Sequence, residues 1–417
     1  MYDVLIVGGG LVGASLACAL QHTAWRIAVI ETSPWFSQHQ SLPSHFDERV
    51  LALSYTSQQI LKAIGVWEQL AAQTTPIEQI HVSEQGQFGF THLDHQQLGI
   101  PALGYVVSAR TLGQVLQQAL SSSTVTIFAP ATWQSLQCDD DSVTVQIFKN
   151  GDGQNGDGRT LQTRLLVAAD GDNSPIRSQL GISVKQQDYG QTAIIANLTF
   201  ENPNKNMAYE RFTAAGPLAI LPLRENDANL VWTVASASTE KLLNLSDAQF
   251  LHSIQQEFGW RLGRILKVGK RYAYPLRLLK VSQLTRSRIV LIGNAAHTLH
   301  PVGGQGFNLG LRDVSTLASA INQTEYDVGS EAVLEQYVAW QQPDQKSVIS
   351  VTDTLVRIFS NKIFPLVVAR NLGLLLVETM PSLKKYLMRQ MAGFNGYPSK
   401  LVRGLPLDHS NSRFDNF

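Results

Sequence analysis

At 417 residues the chain has room for two or three domains of roughly 150 residues each, which excludes peptides and disulfide miniproteins. Lys+Arg and Asp+Glu number 33 each and charged residues make up only 16% of the sequence, so there is no net field to gather nucleic acid. A hydrophobic share of 44% suits an ordinary globular protein and argues against both disorder and a bundle of membrane spans. Two cysteines, Cys18 and Cys138, allow at most one disulfide; Cys18 lies in an apolar helical run, and both read as free thiols in a reducing compartment.

In chain order, Asp3 precedes the β-prone run Val4-Leu5-Ile6-Val7, so the expected start is a folded strand and not a secretory leader with a basic n-region. Four apolar residues in a row suit a parallel strand buried on both faces. Three glycines end it, residues 11–21 read as a helix, and residues 26–30 form a second buried strand ending at Glu31, a βαβ unit. Residues 33–47 read as a loop and 52–70 as helix. Alternating runs at 142–148 and 160–167 flank a Gly/Asn/Asp tract at 150–158, which predicts a long exposed hairpin tip. From about 183 to 274 the texture becomes strand-like, at 192–200, 218–223 and 230–235, and 289–292 again resembles a buried parallel strand. Residues 355–391 are mostly helical; their apolar stretch at 363–377 is broken by Pro365 and holds Arg370 and Asn371, so no spanning helix is expected. The expected class is α/β: a Rossmann-type dinucleotide domain (1–182 and 281–350), an inserted antiparallel β-sheet substrate domain (183–280) and a C-terminal helical region (351–417).

Three separated motifs carry the chemistry. The first, Gly8-Gly9-Gly10-Leu11-Val12-Gly13, is a G-x-G-x-x-G between a strand and a helix. Gly8 permits the turn, Gly10 lets a pyrophosphate approach the helix N-terminus, and Gly13 allows close helix-to-strand packing. Glu31, at the end of the second strand, stands where a carboxylate accepts hydrogen bonds from an adenosine ribose; an acid there favours FAD or NAD over a 2′-phosphorylated nucleotide. The second runs from Leu165 through Ala168-Ala169-Asp170-Gly171 to Arg177 and, taken alone, is equally a turn. In the third, the 289–292 strand enters Gly293-Asn294-Ala295-Ala296-His297-Thr298-Leu299-His300-Pro301-Val302-Gly303-Gly304-Gln305-Gly306-Phe307-Asn308, with a helix starting near Gly306. Such a helix start, with unpaired N–H groups and a positive dipole end, suits an anionic ligand, although a structural turn would look the same. No His/Cys/carboxylate cluster has metal-ligand spacing.

Together the motifs, in the same order along the chain, resemble the FAD-dependent aromatic hydroxylases, flavoprotein monooxygenases of the para-hydroxybenzoate hydroxylase type. Those enzymes have Gly-Asp where this chain has Gly293-Asn294, and Asn still donates and accepts hydrogen bonds. The Asn form followed by Ala295-Ala296-His297-Thr298-Leu299-His300-Pro301, with segments such as Glu210-Arg211-Phe212-Thr213, Gly216-Pro217-Leu218-Ala219 and Phe258-Gly259-Trp260-Arg261, is similar to the ubiquinone-biosynthesis branch. The resemblance implies FAD held by Gly8, Gly10, Gly13, Glu31, Arg49, Arg110, Asp170, Gly293, Asn294, Gly304, Gln305, Gly306, Phe307 and Asn308. Arg49 reads otherwise as a surface ion pair with Asp47 or Glu48. The implied reaction is C1 hydroxylation of a 2-polyprenyl-6-methoxyphenol through a flavin C4a-hydroperoxide, using O₂ and NADPH or NADH. His297, His300 and Pro301 fall in the loop at the flavin face, the histidines being bases or packing residues. Tyr189, Tyr209 and Arg211 are pocket candidates that equally suit packing.

Competing readings are a hydroxylase of a soluble aromatic, an FAD-dependent prenyl reductase and an FAD-binding scaffold. Partners implied by the branch are the polyprenyl phenol, O₂ and other ubiquinone-biosynthesis proteins. Near the C-terminus, Ile358, Phe359, Ile363, Phe364, Leu366 and Val367 interleave with Arg357 and Lys362, followed by Arg370, Lys384, Lys385 and Arg389. Such helices either lie in a membrane interface or pack on the protein's own core. The expected location is the cytoplasm, with peripheral contact on the inner face of the plasma membrane in the first case.

Overall fold

The computed structural model describes residues 1–35, 49–149, 158–359 and 364–407. Its first sheet has eight strands, in the order 285–286, 289–291, 159–168, 2–7, 27–30, 126–128, with the 131–138 and 143–149 strands appended. Tyr2–Val7 pairs in parallel with both Ile27–Ile30 and Arg159–Ala168, which pairs in parallel with Ile289–Leu291. Val4, Leu5 and Ile6 are fully buried, as an unbroken apolar run on a central parallel strand must be. The helix Leu11–Leu20 crosses over to Ile27–Ile30 and completes the expected βαβ unit. The hairpin strands Val143–Lys149 and Arg159–Ala168 pair antiparallel, while the tip between them, like most of the 33–47 loop, lies outside the described residues.

The second sheet has nine strands, in the order 297–298, 272–281, 184–200, 227–235, 217–222, 207–212, 79–84, 90–94, with 265–268 alongside. Its long strand Val184–Phe200 pairs antiparallel with Asp227–Ala235, Ile265–Val268 and Tyr272–Val281. The sheet is thus not confined to 183–280: Gln79–Glu84 and Phe90–Asp94 come from the segment assigned to the first domain, and Gln79–Glu84 pairs in parallel with Met207–Phe212. Nor does the expected 52–70 helix run unbroken. Val50–Ser54 is a strand paired with Gly104–Ser108, and helix begins only at Tyr55, where the Ser54 side chain accepts the Ser57 N–H.

One face of the second sheet packs on the helix Asp247–Phe258 around Phe200, Leu218, Leu230 and Phe250. The helix opens with a capping box made by Ser246 and Gln249. The other face looks toward the C-terminal helices Glu331–Phe359, Phe364–Thr379 and Pro381–Met391. Glu331–Phe359 is one continuous helix, so the boundary expected at 350/351 falls inside a single element. It is clamped to Gln305–Gln323 by a buried Arg312–Asp344 ion pair at 2.6 Å. Both cysteines are free thiols, and burial pushes the Cys18 thiol up to about 12.

The C-terminal helices pack part of the basic-apolar pattern against the protein's own interior, while Arg357, Lys385 and Arg389 stay exposed. Phe359 is buried and stacks on Phe212, with ring centroids 3.6 Å apart. Arg370 pairs with buried Glu84, Lys384 with Glu378 at 3.0 Å, and Arg357 with Asp353 at 2.8 Å. Lys362 and Ile363 lie outside the described residues. Among the described residues no helix is long and apolar enough to cross a membrane.

Phe258 is fully buried where helix meets sheet, edge-on to both Phe200 and Tyr209. Phe258→Ala is expected to lower unfolding free energy by about 3–5 kcal/mol, measured by urea denaturation followed by tryptophan fluorescence.

Candidate active site

A cavity of about 730 Å³ collects all three motifs on one wall. Gly10, Leu11 and Val12 reach it from the first, Ala169 and Gly171 from the second, and Asn294 with residues 301–308 from the third. The glycines divide into two kinds. Gly8 has φ +107°, and a Cβ on Gly13 would stand 1.9 Å from the Gly8 carbonyl oxygen, so both are demanded by the turn and its packing. A Cβ on Gly10 or Gly306 would meet nothing within 4 Å, because both face open space at a helix start.

Those helix starts are suited to an anionic ligand. Leu11–Leu20 and Gln305–Gln323 both begin without a side-chain cap, at Gly10 and at Gly304, so their first N–H groups are left to whatever occupies the cavity. The Glu31 carboxylate accepts the Gly9 N–H at 2.7 Å and the Ser33 N–H at 2.8 Å, bracing the glycine loop from the end of the second strand. Arg49 lines the cavity and lies over the Tyr274 ring at 4.8 Å; Asp47 and Glu48 fall outside the described residues. Arg110 is exposed and does not line the wall, although its neighbour Ala109 does.

Asp170 stands just behind the wall. Its Oδ2 accepts the Ile176 N–H at 3.2 Å, its buried Oδ1 has no partner, and burial raises its carboxyl above the usual carboxylate range. Arg177 ties the second motif to the third by donating to the carbonyls of Asp172 at 2.7 Å and Ala295 at 2.9 Å. In the third motif Gly293, Gly303 and Gly304 all have positive φ. The Asn308 side chain sews the helix start to the neighbouring strand: its amide nitrogen donates to Ala52 and Gly304, and its oxygen accepts the Ser54 N–H.

Of the residues expected at the reacting face, Pro301 lines the cavity but neither histidine does. His297 is buried and its Nε2 lies 2.7 Å from Asp313 Oδ2, which also accepts the Gly293 N–H at 2.8 Å. The ring therefore braces the loop from behind. His300 is fully buried; Nδ1 accepts the Val302 N–H, and burial pushes its pKa down to about 4, so it is neutral at pH 7. Tyr189 sits edge-on to His300 and donates to Asp353 at 3.1 Å; burial and that carboxylate raise its pKa. Tyr209 borders the cavity but its ring packs on Phe258, and Arg211 donates to the Glu257 carbonyl and Ser83 on that same far side. The side chain between those two, Glu210, faces the cavity, and sequence reading missed it. Strand alternation around Tyr209 and Arg211 was the signal that could have found it.

These features fit FAD: an uncapped helix start at Gly10 for its pyrophosphate, a second at Gly304, next to Pro301, for the electron-rich edge of the flavin, room above Gly10 and Gly306, and an orphaned Asp170 oxygen beside the motif junction. Bound there, FAD supplies the oxygen activation that no side chain of the cavity can.

Gly10→Val is expected to abolish FAD retention while moving the apoprotein melting temperature by less than about 2 °C, since its φ of −66° and ψ of −175° suit any residue. Gly13→Ala, which drives a methyl into the Gly8 carbonyl, is expected to lose FAD and also about 1–3 kcal/mol of stability. Flavin absorbance after gel filtration and thermal melts of the two apoproteins check both.

The family described as FAD binding domain matches residues 1–352. The chain is 38% identical to "Ubiquinone hydroxylase UbiL" of Rhodospirillum rubrum, over 97% of this chain and 93% of that one. It is 33% identical to "3-demethoxyubiquinol 3-hydroxylase" of Escherichia coli (94% and 98% covered) and 29% identical to the human "Ubiquinone biosynthesis monooxygenase COQ6, mitochondrial" (93% and 92%). Among solved structures, p-nitrophenol 4-monooxygenase PnpA from Pseudomonas putida superposes with a TM-score of 0.76 at 18% identity, covering 95% of this chain and 98% of that one, a likeness of fold. With its three motifs on one cavity wall and these relatives along nearly its whole length, the chain belongs to the FAD-binding-domain family, as an FAD-dependent aromatic-ring monooxygenase of the ubiquinone-hydroxylase branch.

Proposed function

We propose that this monooxygenase hydroxylates a 2-polyprenyl-6-methoxyphenol para to its hydroxyl, at the position that becomes C1 of the quinone ring, in ubiquinone biosynthesis. The overall reaction takes the phenol, O₂, one NADPH or NADH and a proton to the benzoquinol, the oxidised nicotinamide and water. The observation that carries this reading is the continuation of the cavity away from the flavin motifs. It passes between the second sheet and the C-terminal helices, where Leu93, Val348, Leu355, Leu374, Val377 and Met388 line it. An apolar wall of this kind favours a prenylated ring over a soluble aromatic. In this reading the ring would lie near Pro301 and the tail under the helices, which the extent of the cavity supports. The protein's work is to hold the ring, seat the tail and keep water from the reacting oxygen.

A second reading has one specific support. The Escherichia coli relative is named for 3-hydroxylation of 3-demethoxyubiquinol, a different position on the same kind of ring. Both readings use the same cavity, and the product decides between them. A prenyl reductase would leave no hydroxylated product at all.

The FAD-loaded enzyme supplied with NADPH or NADH, O₂ and 2-geranyl-6-methoxyphenol is expected to form the 1,4-benzoquinol, identified by mass and by retention against a standard. Tail-free 2-methoxyphenol is expected to show a KM at least about tenfold higher, the worth of burying two CH₂ groups. No hydroxylated product, or equal KM values, overturns the reading.

The helix Phe364–Thr379 also supports membrane contact as the route for the tail. While Leu374 and Val377 face the cavity, Val368, Leu372 and Leu376 form an exposed stripe at four-residue spacing, with Leu372 49% and Leu376 53% exposed. A helix apolar on both faces needs a second apolar neighbour, and a bilayer that dissolves the tail supplies one beside the tail's own channel. Leu372→Asp with Leu376→Asp is expected to weaken binding to anionic liposomes by at least about tenfold, while turnover of the detergent-solubilised geranyl phenol stays within about twofold. Unchanged liposome sedimentation would remove the membrane face.

A further inference from the structure

Within the substrate cavity one row of side chains runs straight across the second sheet. The strand registers align Ile195 with Val231, Val231 with Ala219, Ala219 with Glu210, Glu210 with Val82, and Val82 with Thr91. All six line the cavity, and Glu210 is the one ionisable group among them. On its own strand the neighbours sharing its face are Ala208 and Phe212, both apolar. Burial alone raises its carboxyl, to about 7, and among the described residues no side chain hydrogen-bonds it or pairs with it.

A carboxyl group without a partner, facing an apolar cavity, costs folding free energy unless a ligand supplies the missing donor. Nearby charges do not answer it. Glu84 is engaged by Arg370 and Asn371, and Glu378 by Lys384, Thr91 and the His92 N–H. Arg211 and His81 belong to the opposite face of the sheet, where Arg211 reaches Glu257 and Ser83 and His81 packs on Tyr209. The other charged side chains of the cavity wall, Arg49 and Arg277, stand with the flavin motifs, Arg277 paired to Asp172. Residues 348–359 and 374–392 add only uncharged side chains to the wall.

Resting on the proposed phenol substrate, we infer that Glu210 is the group that receives the substrate's hydroxyl, accepting its hydrogen bond and then its proton. The donor a prenylated methoxyphenol brings into this cavity is that one O–H. As its proton moves to a Glu210 carboxylate oxygen, electron density rises on the ring carbon para to the oxygen, where the new C–O bond forms. When the ring regains aromaticity the para carbon gives up its hydrogen as a proton, and Glu210 returns its proton to the phenol oxygen. The oxygen atom comes from O₂, whose second atom leaves as water, and the electrons come from the nicotinamide of the overall reaction. An acid poised near neutrality suits this exchange, since it is a carboxylate often enough to accept and acidic enough to give back.

The test uses the FAD-loaded enzyme with 2-geranyl-6-methoxyphenol and its O-methyl ether, which lacks the donor. Wild type is expected to bind the phenol at least about tenfold more tightly than the ether at pH 8, and its kcat/KM to rise with pH through about 7 as the carboxylate forms. Glu210→Gln, whose amide oxygen still accepts an ordinary hydrogen bond but takes no proton, is expected to weaken the preference and to lose the rising limb, with turnover down by about 10²-fold or more. It should keep its FAD and melt no lower than wild type at pH 8. In the unfolded chain this carboxyl ionises at its ordinary pKa, so its burial weakens wild type increasingly as pH rises from there to about 7, and Gln removes that penalty. If wild type hydroxylates the phenol and Glu210→Gln keeps both the preference and the pH limb, the role of Glu210 is overturned and the substrate reading stands. A wild type that neither binds nor hydroxylates the phenol overturns both.

Discussion

The carboxyl group of Asp313 is the point on which the flavin end of this molecule hangs. Fully buried on the helix Gln305–Gln323, it accepts from the Gly293 N–H, the His297 ring and the side chains of Gln341 and Gln345. One acceptor thus joins the glycine turn after the last parallel strand, the loop that carries Pro301 to the cavity wall, the helix that starts at the cavity and the long C-terminal helix. Four donors on one buried carboxyl group hold these elements together, and losing any one of them is costly. The loop of three positive-φ glycines would otherwise be free to move, and a cofactor gripped by backbone N–H groups requires that it is not.

From that anchor the architecture divides the labour. The parallel sheet presents two uncapped helix starts and the strand-end acids, while the antiparallel sheet presents a flat apolar wall. The C-terminal helices close the space between. Two of their basic residues turn inward, Arg370 to Glu84 and Lys384 to Glu378, and the helices roof a channel. Charge is sparse in that channel, where Glu210 is the one carboxylic acid among the described residues, and in an apolar cavity a single acceptor would set the orientation of a polar ring.

Local sequence signals found the flavin half because its chemistry is written in short range. Gly8, Gly10 and Gly13 are spaced by the geometry of one turn and one helix start, and the run from Val4 to Val7 tells of burial on both faces. Contacts distant in sequence were not legible. Gln79–Glu84 joins the second sheet beside Met207–Phe212, more than a hundred residues away, and no periodicity records that pairing. Residues 52–54 looked helical by composition, yet a strand partner at Gly104–Ser108 overrides the propensity. His297 and His300 stood in the expected loop, but only packing could show that both turn inward.

By itself, then, the sequence determined the dinucleotide cradle and the kind of cofactor it takes, since glycine is the residue that admits both a positive φ and a phosphate at the backbone. The tertiary structure decided the substrate side. Which of Tyr209, Glu210 and Arg211 faces the cavity depends on the register of three strands drawn from separate parts of the chain, and a shift of one residue would exchange them. Tertiary packing also decided that Phe359 belongs to the interior and Leu372 and Leu376 to the surface, because an apolar helix carries no mark of which side its neighbours will take.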